Sequence, residues 1–296
     1  MSAVMPTGDS PPPFFGLSPA RSVTDRVRHS IARRLFIAGN KRALTTYNRA
    51  LAAHGLQPMP PDAFPDGPMK YATRIFLDGA PGLEFPGYVP PPNAEFVGPL
   101  LPARPALPAT AALPAQLAHP AGPVVVVSQG TIDNTDPHKL VVPTIEALSN
   151  GPYIVVATTG GVQTDDLRRR YASPSVIVED FLDYRTLLPK ADAFVTSGGF
   201  GSTLAAISAG VPLVGAGVRE GKNDLNVRTA HNGLGVDLRT EHPKPAAIRT
   251  AVDRVLHDQT IRDNVARVRA ELTSYDPYGT IERAVAALGT RESEHA

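Results

Sequence analysis

Proline divides this sequence. Of its 31 prolines, 22 lie in residues 1–123 and 9 in the remaining 173. Proline fixes φ and lacks the N–H that helices and sheet ladders use, so the N-terminal region cannot be mostly regular secondary structure. The C-terminal region can. A chain of 296 residues with 42% hydrophobic and 19% charged residues has enough apolar side chain for one large or two ordinary cores, and does not read as disordered. Its 29 basic and 28 acidic residues nearly cancel, which argues against a surface-wide nucleic-acid binder. Cysteine is absent, which removes disulfides, thiolate zinc sites, iron–sulfur clusters and cysteine nucleophiles, and fits a reducing cytoplasm. Met1–Pro13 has neither a basic n-region nor an apolar h-region, so no signal peptide is expected. No apolar run approaches the roughly 18 residues of a membrane span. A soluble, cytoplasmic chain is the expectation.

Within the proline-rich region a single helical stretch stands out, Ser22 to His54, with a break at Gly39–Asn40. Val27, Ile31 and Leu35 repeat at i+4, and Leu44, Tyr47 and Leu51 continue the stripe. Between Arg21 and Arg49 stand eight basic residues and one acid, Asp25. A basic amphipathic helix can lie on an anionic membrane; the blander alternative is a solvated face on a helix packed against a domain. A strand is expected at Ala72–Leu77, and Pro99–Pro123 reads as a Pro/Ala-rich linker.

From Val124 the pattern changes to short apolar runs alternating with helical periods. The runs are Val124–Ser128, Tyr153–Thr158, Ser175–Val178, Ala193–Thr196, Pro212–Val214 and Gly235–Leu238. Helices are expected between them, at His138–Ser149, Asp165–Tyr171, Tyr184–Leu188, Gly201–Ala209 and Asn223–His231. Three more close the chain at Lys244–His257, Gln259–Ser274 and Tyr278–Leu288. Continuously apolar strands are buried on both faces, which predicts a parallel sheet covered by helices, a doubly wound α/β domain.

In such sheets ligands bind beyond the carboxyl ends of the strands. Two strand ends carry unusual chemistry: Ser128-Gln129-Gly130-Thr131, and Thr196-Ser197-Gly198-Gly199-Phe200-Gly201-Ser202-Thr203. Glycines let a ligand approach the backbone, and a helix start offers N–H groups to a phosphate. Neither the GxGxxG nor the P-loop spacing is met, and a glycine-rich turn by itself is often only a tight connection. Two of them on one sheet edge point to a diphosphate-bearing ligand. The polar run Arg219 to Arg228 follows a third strand end and could contact sugar hydroxyls or simply form a solvated helix start. The eight histidines show no metal-binding spacing, so no metal site is expected. His138 and His231 read as surface or packing residues.

These residues resemble a known family. The segments VVVVSQGT (124–131), PTIEAL (143–148), VVATTGG (155–161), FLDYRTLLPKADAFVTSGGFGSTLAAISAGVPLV (181–214) and REGKNDLNVR (219–228) look like the donor-binding domain of two-domain GT-B glycosyltransferases of the UDP-glycosyltransferase type, in order and spacing, nearest the bacterial natural-product or lipid branch. Upstream, PPPFFGLSPA (11–20) and PGLEFPGYVPPPNAEFVGPLLP (81–102) resemble the end of that family's acceptor-binding domain. The resemblance implies four regions: 1–98, the remainder of an N-terminal acceptor domain; 99–123, the linker; 124–275, the nucleotide-sugar domain; and 276–296, a helix returning to the first domain.

It also implies roles. Gly130 and Thr131 face the diphosphate; Asp183 and Tyr184 hold the nucleobase by backbone contact and stacking; Ser197 stands where many members have a phosphate-binding histidine. Gly198, Gly199, Phe200, Gly201 and Ser202 form the diphosphate loop. Gly221 and Lys222 replace the family's sugar-contacting Asp-Gln pair, with Glu220 adjacent. The implied activity is inverting, metal-independent transfer of a hexose from a UDP- or dTDP-sugar to a hydroxyl of a small lipophilic acceptor, with no cofactor. The family's general base lies in an upstream segment that this sequence does not match, so no catalytic residue is assigned. That leaves a second reading, a non-catalytic or split nucleotide-sugar-binding module. A sugar-nucleotide epimerase is a third, resting on fold analogy. With most of the first domain unmatched, the helix 22–54 should expose apolar surface, and self-association or a partner chain is expected.

Overall fold

The computed structural model describes residues 11–61, 69, 72–101, 113–130 and 134–293. Its centre is a six-stranded, wholly parallel sheet built from β3 (Val124–Ser128), β4 (Ile154–Thr158), β5 (Val176–Glu179), β6 (Ala193–Thr196), β7 (Leu213–Gly215) and β8 (Gly235–Asp237). The strand order is β5-β4-β3-β6-β7-β8. Chain order runs outward from β3 in one direction and then restarts at β6 in the other, so a crevice opens between the carboxyl ends of β3 and β6.

Burial explains the apolar runs. Every residue of β3, β4 and β6 is buried, because helices cover both faces of the sheet. Around it lie α3 (Val141–Leu148), α4 (Thr164–Arg170), α5 (Tyr184–Leu187), α6 (Phe200–Ala209), α7 (Lys222–His231), α8 (Pro245–His257), α9 (Gln259–Thr273) and α10 (Pro277–Ser293). In α8 and α9 the buried residues Ile248, Ala251, Val252, Val255 and Ile261, Val265, Val268, Leu272 keep helical spacing, so each helix buries one stripe. Each large aliphatic side chain among them contributes roughly 1.5–3 kcal/mol to the folded state.

The proline-rich region holds less regular structure. The stretch 22–54 is two helices, α1 (Val23–Gly39) and α2 (Lys41–Ala53), broken at Asn40. Ser22 and Asp25 form a reciprocal capping box at the start of α1. The expected strand at 72–77 is β1 (Ile75–Asp78). It pairs in parallel with β2 (Ala94–Gly98), which the sequence pattern did not reveal. Within the linker, residues 102–112 lie outside the described residues, but Leu117 beyond them is 1% exposed and belongs to the main core. The linker's end is therefore packed rather than loose. At the other end of the chain α10 approaches β2: the Tyr278 hydroxyl donates to the Leu101 carbonyl at 2.8 Å. Among the described residues no helix is long and apolar enough to cross a membrane.

Candidate functional site

The crevice between β3 and β6 is shaped by their two strand-end loops. After β3, Gly130 takes φ +83°, and a Cβ placed there would meet nothing within 4 Å. The preceding Gln129 is buried, and its side chain is fully committed. Its Oε1 accepts the N–H groups of Leu140 and Val141, each at 3.1 Å, and its Nε2 donates to the Asp136 carbonyl at 2.9 Å. Gln129 thus ties the first loop to the start of α3 and satisfies donors that a helix start leaves unpaired.

After β6 the chain turns through Ser197, Gly198 and Gly199 into α6. The Ser197 hydroxyl donates to the Gln129 carbonyl at 2.9 Å, joining the two loops. Gly198 has φ +91°, donates its N–H to Thr196 Oγ1 at 3.2 Å, and lies so close to Asn226 that a Cβ would sit 2.2 Å from the amide oxygen. Gly199 and Gly201 are different. Gly199 has φ −66° and a Cβ there would meet only Ser202 Oγ, at 3.4 Å; at Gly201 it would meet nothing. The fold does not require glycine at either position. The first backbone bond of α6 runs from Thr203 N–H to the Gly199 carbonyl at 3.0 Å, so the N–H groups of Phe200, Gly201 and Ser202 have no intrahelical acceptor. Bare backbone, unpaired donors and the positive end of the helix dipole meet at the crevice.

The loop after β7 forms the third wall. Glu241 Oε1 accepts the N–H groups of Val218 at 2.6 Å and Arg219 at 3.0 Å, and Asn226 donates to the carbonyls of Gly217 at 3.1 Å and Ser197 at 3.3 Å. Glu220 and Gly221 both have positive φ. Glu220 Oε2 lies 3.0 Å from Lys222 Nζ; the lysine is nearly buried and the glutamate half exposed. The two residues expected to meet a sugar thus form an ion pair in this structure.

Residues 11–20 reach this wall from outside. The Asp224 carboxylate accepts the N–H groups of Phe14 and Gly16, the latter at 2.8 Å, while Asn223 Nδ2 donates to the Phe14 carbonyl at 2.9 Å. Burial raises the Asp224 carboxyl above its ordinary value of 3.8, opposed by these two N–H groups and by Arg228. Further along α7, Arg228 is 1% exposed and forms an ion pair with Glu84, and Asn232 donates to the Glu84 carbonyl at 2.8 Å. The polar run 219–228, expected to face solvent or sugar, is spent largely on internal contacts.

The ring of Tyr184, expected beside a nucleobase, packs edge-to-face on Phe194 at 5.6 Å, and its hydroxyl lies 3.2 Å from Thr158 Oγ1. Burial raises its hydroxyl above its ordinary value. The reason is position: Tyr184 opens α5, whose apolar side must cover the sheet. Asp183 caps α5 through the Arg185 N–H at 3.0 Å, and the Arg185 guanidinium holds its carboxyl below the ordinary value. The Ser202 hydroxyl donates to the Gly199 carbonyl at 2.9 Å, so its backbone N–H rather than its hydroxyl faces outward as a donor. Phe200 packs against the core, leaving likewise its N–H. His231 packs edge-to-face on Phe85 at 5.2 Å. Thr131 lies outside the described residues. Among those described, no group of three or more His, Asp or Glu side chains is placed to hold a metal ion. Sequence reasoning missed Glu241, and gave Gln129, Asp224 and Asn226 no individual role within the segments it singled out. An amide or acid in or just after a strand-end glycine segment, as at Gln129, Asp224 and Asn226, is the signal that would find them.

Comparison with known proteins bears on the fold and the family. Residues 152–286 match the family described as erythromycin biosynthesis protein CIII-like, C-terminal domain. The chain is 33% identical over 274 residues to 4'-demethylrebeccamycin synthase of Lentzea aerocolonigenes, covering 92% of this chain and 63% of that protein. It is 28% identical to UDP-glycosyltransferase 2 of Phaeomoniella chlamydospora, covering 92% and 61%. The chain therefore spans a little over three fifths of the length of these relatives. Among solved structures it resembles the calicheamicin glycosyltransferase CalG4, with a TM-score of 0.67 and 24% identity over 93% of this chain and 68% of that one. It also resembles a spinosyn rhamnosyltransferase complexed with thymidine diphosphate, with a TM-score of 0.61 and 16% identity over 81% and 60%.

Proposed function

We propose that this chain, which belongs to the GT-B glycosyltransferases of the UDP-glycosyltransferase (family 1) type, binds the diphosphate of a UDP- or dTDP-sugar in the crevice between β3 and β6 and serves transfer of the hexose to a hydroxyl of a lipophilic natural-product acceptor. The observation that carries this reading is the bare start of α6. Gly199 and Gly201 adopt conformations open to any residue; a Cβ at Gly201 would stand in open space, and one at Gly199 would meet only Ser202 Oγ, at 3.4 Å. Three N–H groups without an intrahelical acceptor at that helix start suit the negative charge of a diphosphate.

In the reaction the acceptor oxygen attacks the anomeric carbon as the bond from that carbon to the diphosphate oxygen breaks. The acceptor proton passes to a base, and the configuration inverts. Charge grows on the leaving diphosphate, where the N–H groups of Phe200, Gly201 and Ser202 stabilise it. No residue of this chain is assigned as the base. Glu220 and Lys222 face the sugar, and the nucleobase lies beside the start of α5, held by backbone near Asp183 rather than by the Tyr184 ring. The names of the relatives support a nucleotide sugar as donor and a natural product as acceptor. A cytoplasmic location completes the reading, consistent with a chain that has no cysteine.

The test is calorimetric titration with UDP, dTDP and ADP of the wild type and of Gly199→Val and Gly201→Val. Saturable micromolar binding of UDP or dTDP, lost in both variants while their melting temperatures hold, is the expected result. A wild-type chain that melts cooperatively and binds none of the three overturns the reading.

A further inference from the structure

On the outer side of α1, Val23, Val27, Ile31 and Leu35 recur every fourth residue and are 73, 52, 53 and 59% exposed. The helix is anchored from another side, by buried Ala32 and by Phe36, whose ring stacks on Phe14 at 5.9 Å. The helix thus exposes apolar surface, as expected from its sequence. All eight basic residues between Arg21 and Arg49 are exposed. Charge is concentrated here: outside this segment 21 basic residues face 27 acidic ones, so the rest of the chain is net negative.

We propose that α1 docks on an anionic phospholipid surface, its stripe entering the headgroup boundary and its arginines meeting lipid phosphates. Arg34 favours lipid over a protein cover. It stands three residues beyond Ile31 and seven beyond Val27, so helical periodicity puts it within the stripe. A dry protein surface would have to desolvate that guanidinium and supply an anion. At a bilayer its stem lies along acyl chains while its head reaches phosphate. Since no described helix can cross a membrane, the contact is one of surface. Geometry links it to the crevice: Phe36 stacks on Phe14, and Phe14 lies over Gly221, where a Cβ would stand 3.6 Å from its ring. A docked α1 would therefore hold the loop after β7 close to the bilayer.

The experiment is co-sedimentation of the whole chain with phosphatidylcholine vesicles, with and without phosphatidylglycerol, alongside analytical ultracentrifugation without lipid. Val27→Asp/Ile31→Asp removes the apolar arm, and Arg26→Glu/Arg33→Glu the charged one. All four positions are exposed, so melting temperatures should not move. Binding is expected only with phosphatidylglycerol, reduced by high salt, and weakened about tenfold or more in each variant. Failure of the wild type to bind, or equal binding to neutral vesicles, overturns the proposal. So does a self-associated chain that ignores vesicles and becomes monomeric in Val27→Asp/Ile31→Asp, because the stripe would then be a protein interface.

Discussion

The side-chain amide of Asn226 donates to the backbone carbonyl of Ser197 across 3.3 Å, and the same nitrogen reaches the Gly217 carbonyl at 3.1 Å. One buried side chain thus holds together the loops that follow β6 and β7, the former leading into the helix start proposed to bind diphosphate. Replacing Asn226 by Leu would leave two carbonyls without this donor. An unsatisfied buried group costs about 1–3 kcal/mol, so denaturant unfolding should show a loss of that order and UDP affinity should fall with it. Unchanged stability would mean that water replaces the amide.

Arg228 and Glu84 form a buried ion pair between α7 and the segment before β2. Removing one partner leaves a buried charge, typically about 3–5 kcal/mol destabilising, so Glu84→Leu and Arg228→Met should each lower the melting temperature sharply. The double variant Glu84→Leu/Arg228→Met should recover much of the loss. A double variant as unstable as the sum of the two singles would show that the pair is not the coupled unit.

Gly198 and Gly201 should respond oppositely to alanine. At Gly198 the methyl group would meet Asn226 at 2.2 Å with φ at +91°, so Gly198→Ala should destabilise by about 2 kcal/mol or more. At Gly201 it meets nothing, and Ala is the better helix former by about 0.5–1 kcal/mol, so Gly201→Ala should stabilise the free chain. It should also weaken UDP binding. Thermal melts with and without UDP separate the two effects.

Asp224 makes a pH prediction whose sign follows from burial. Its carboxyl is raised above 3.8, so between 3.8 and the raised value the folded chain binds more protons than the unfolded one. Its stabilising contribution is complete below 3.8 and is lost as pH rises through the raised value. Relative to Asp224→Asn, which cannot ionise, the wild type should therefore lose stability over that window and then level off. Denaturant unfolding of both proteins from about pH 3.5 upward measures the difference. A wild type that gains on the variant as pH rises would mean that the N–H groups of Phe14 and Gly16, with Arg228, outweigh burial.

The parallel sheet was legible because burial on both faces forces apolar residues into unbroken runs, as in Val124–Val127 and Ala193–Val195. β2 escaped notice because it reads Ala-Glu-Phe-Val-Gly, with only its last two residues buried, a pattern too short and too mixed to signal. The glycines of the two loops were legible because turn chemistry is local. The contact of Tyr184 with Phe194 was not legible, because a tyrosine at a strand end looks the same whether its ring covers the sheet or faces a ligand.

Burial periodicity and turn preference act between near neighbours, so the α/β class, most element positions and the glycine-rich edge follow from reading residues in order. Strand order and the fate of each polar side chain do not. Asn226 finds Ser197 at a separation of 29 residues, Arg228 finds Glu84 at 144, and Asp224 finds Gly16 at 208. These pairings form because packing leaves each buried polar group to find a partner wherever the folded chain supplies one, and no local pattern encodes that distance.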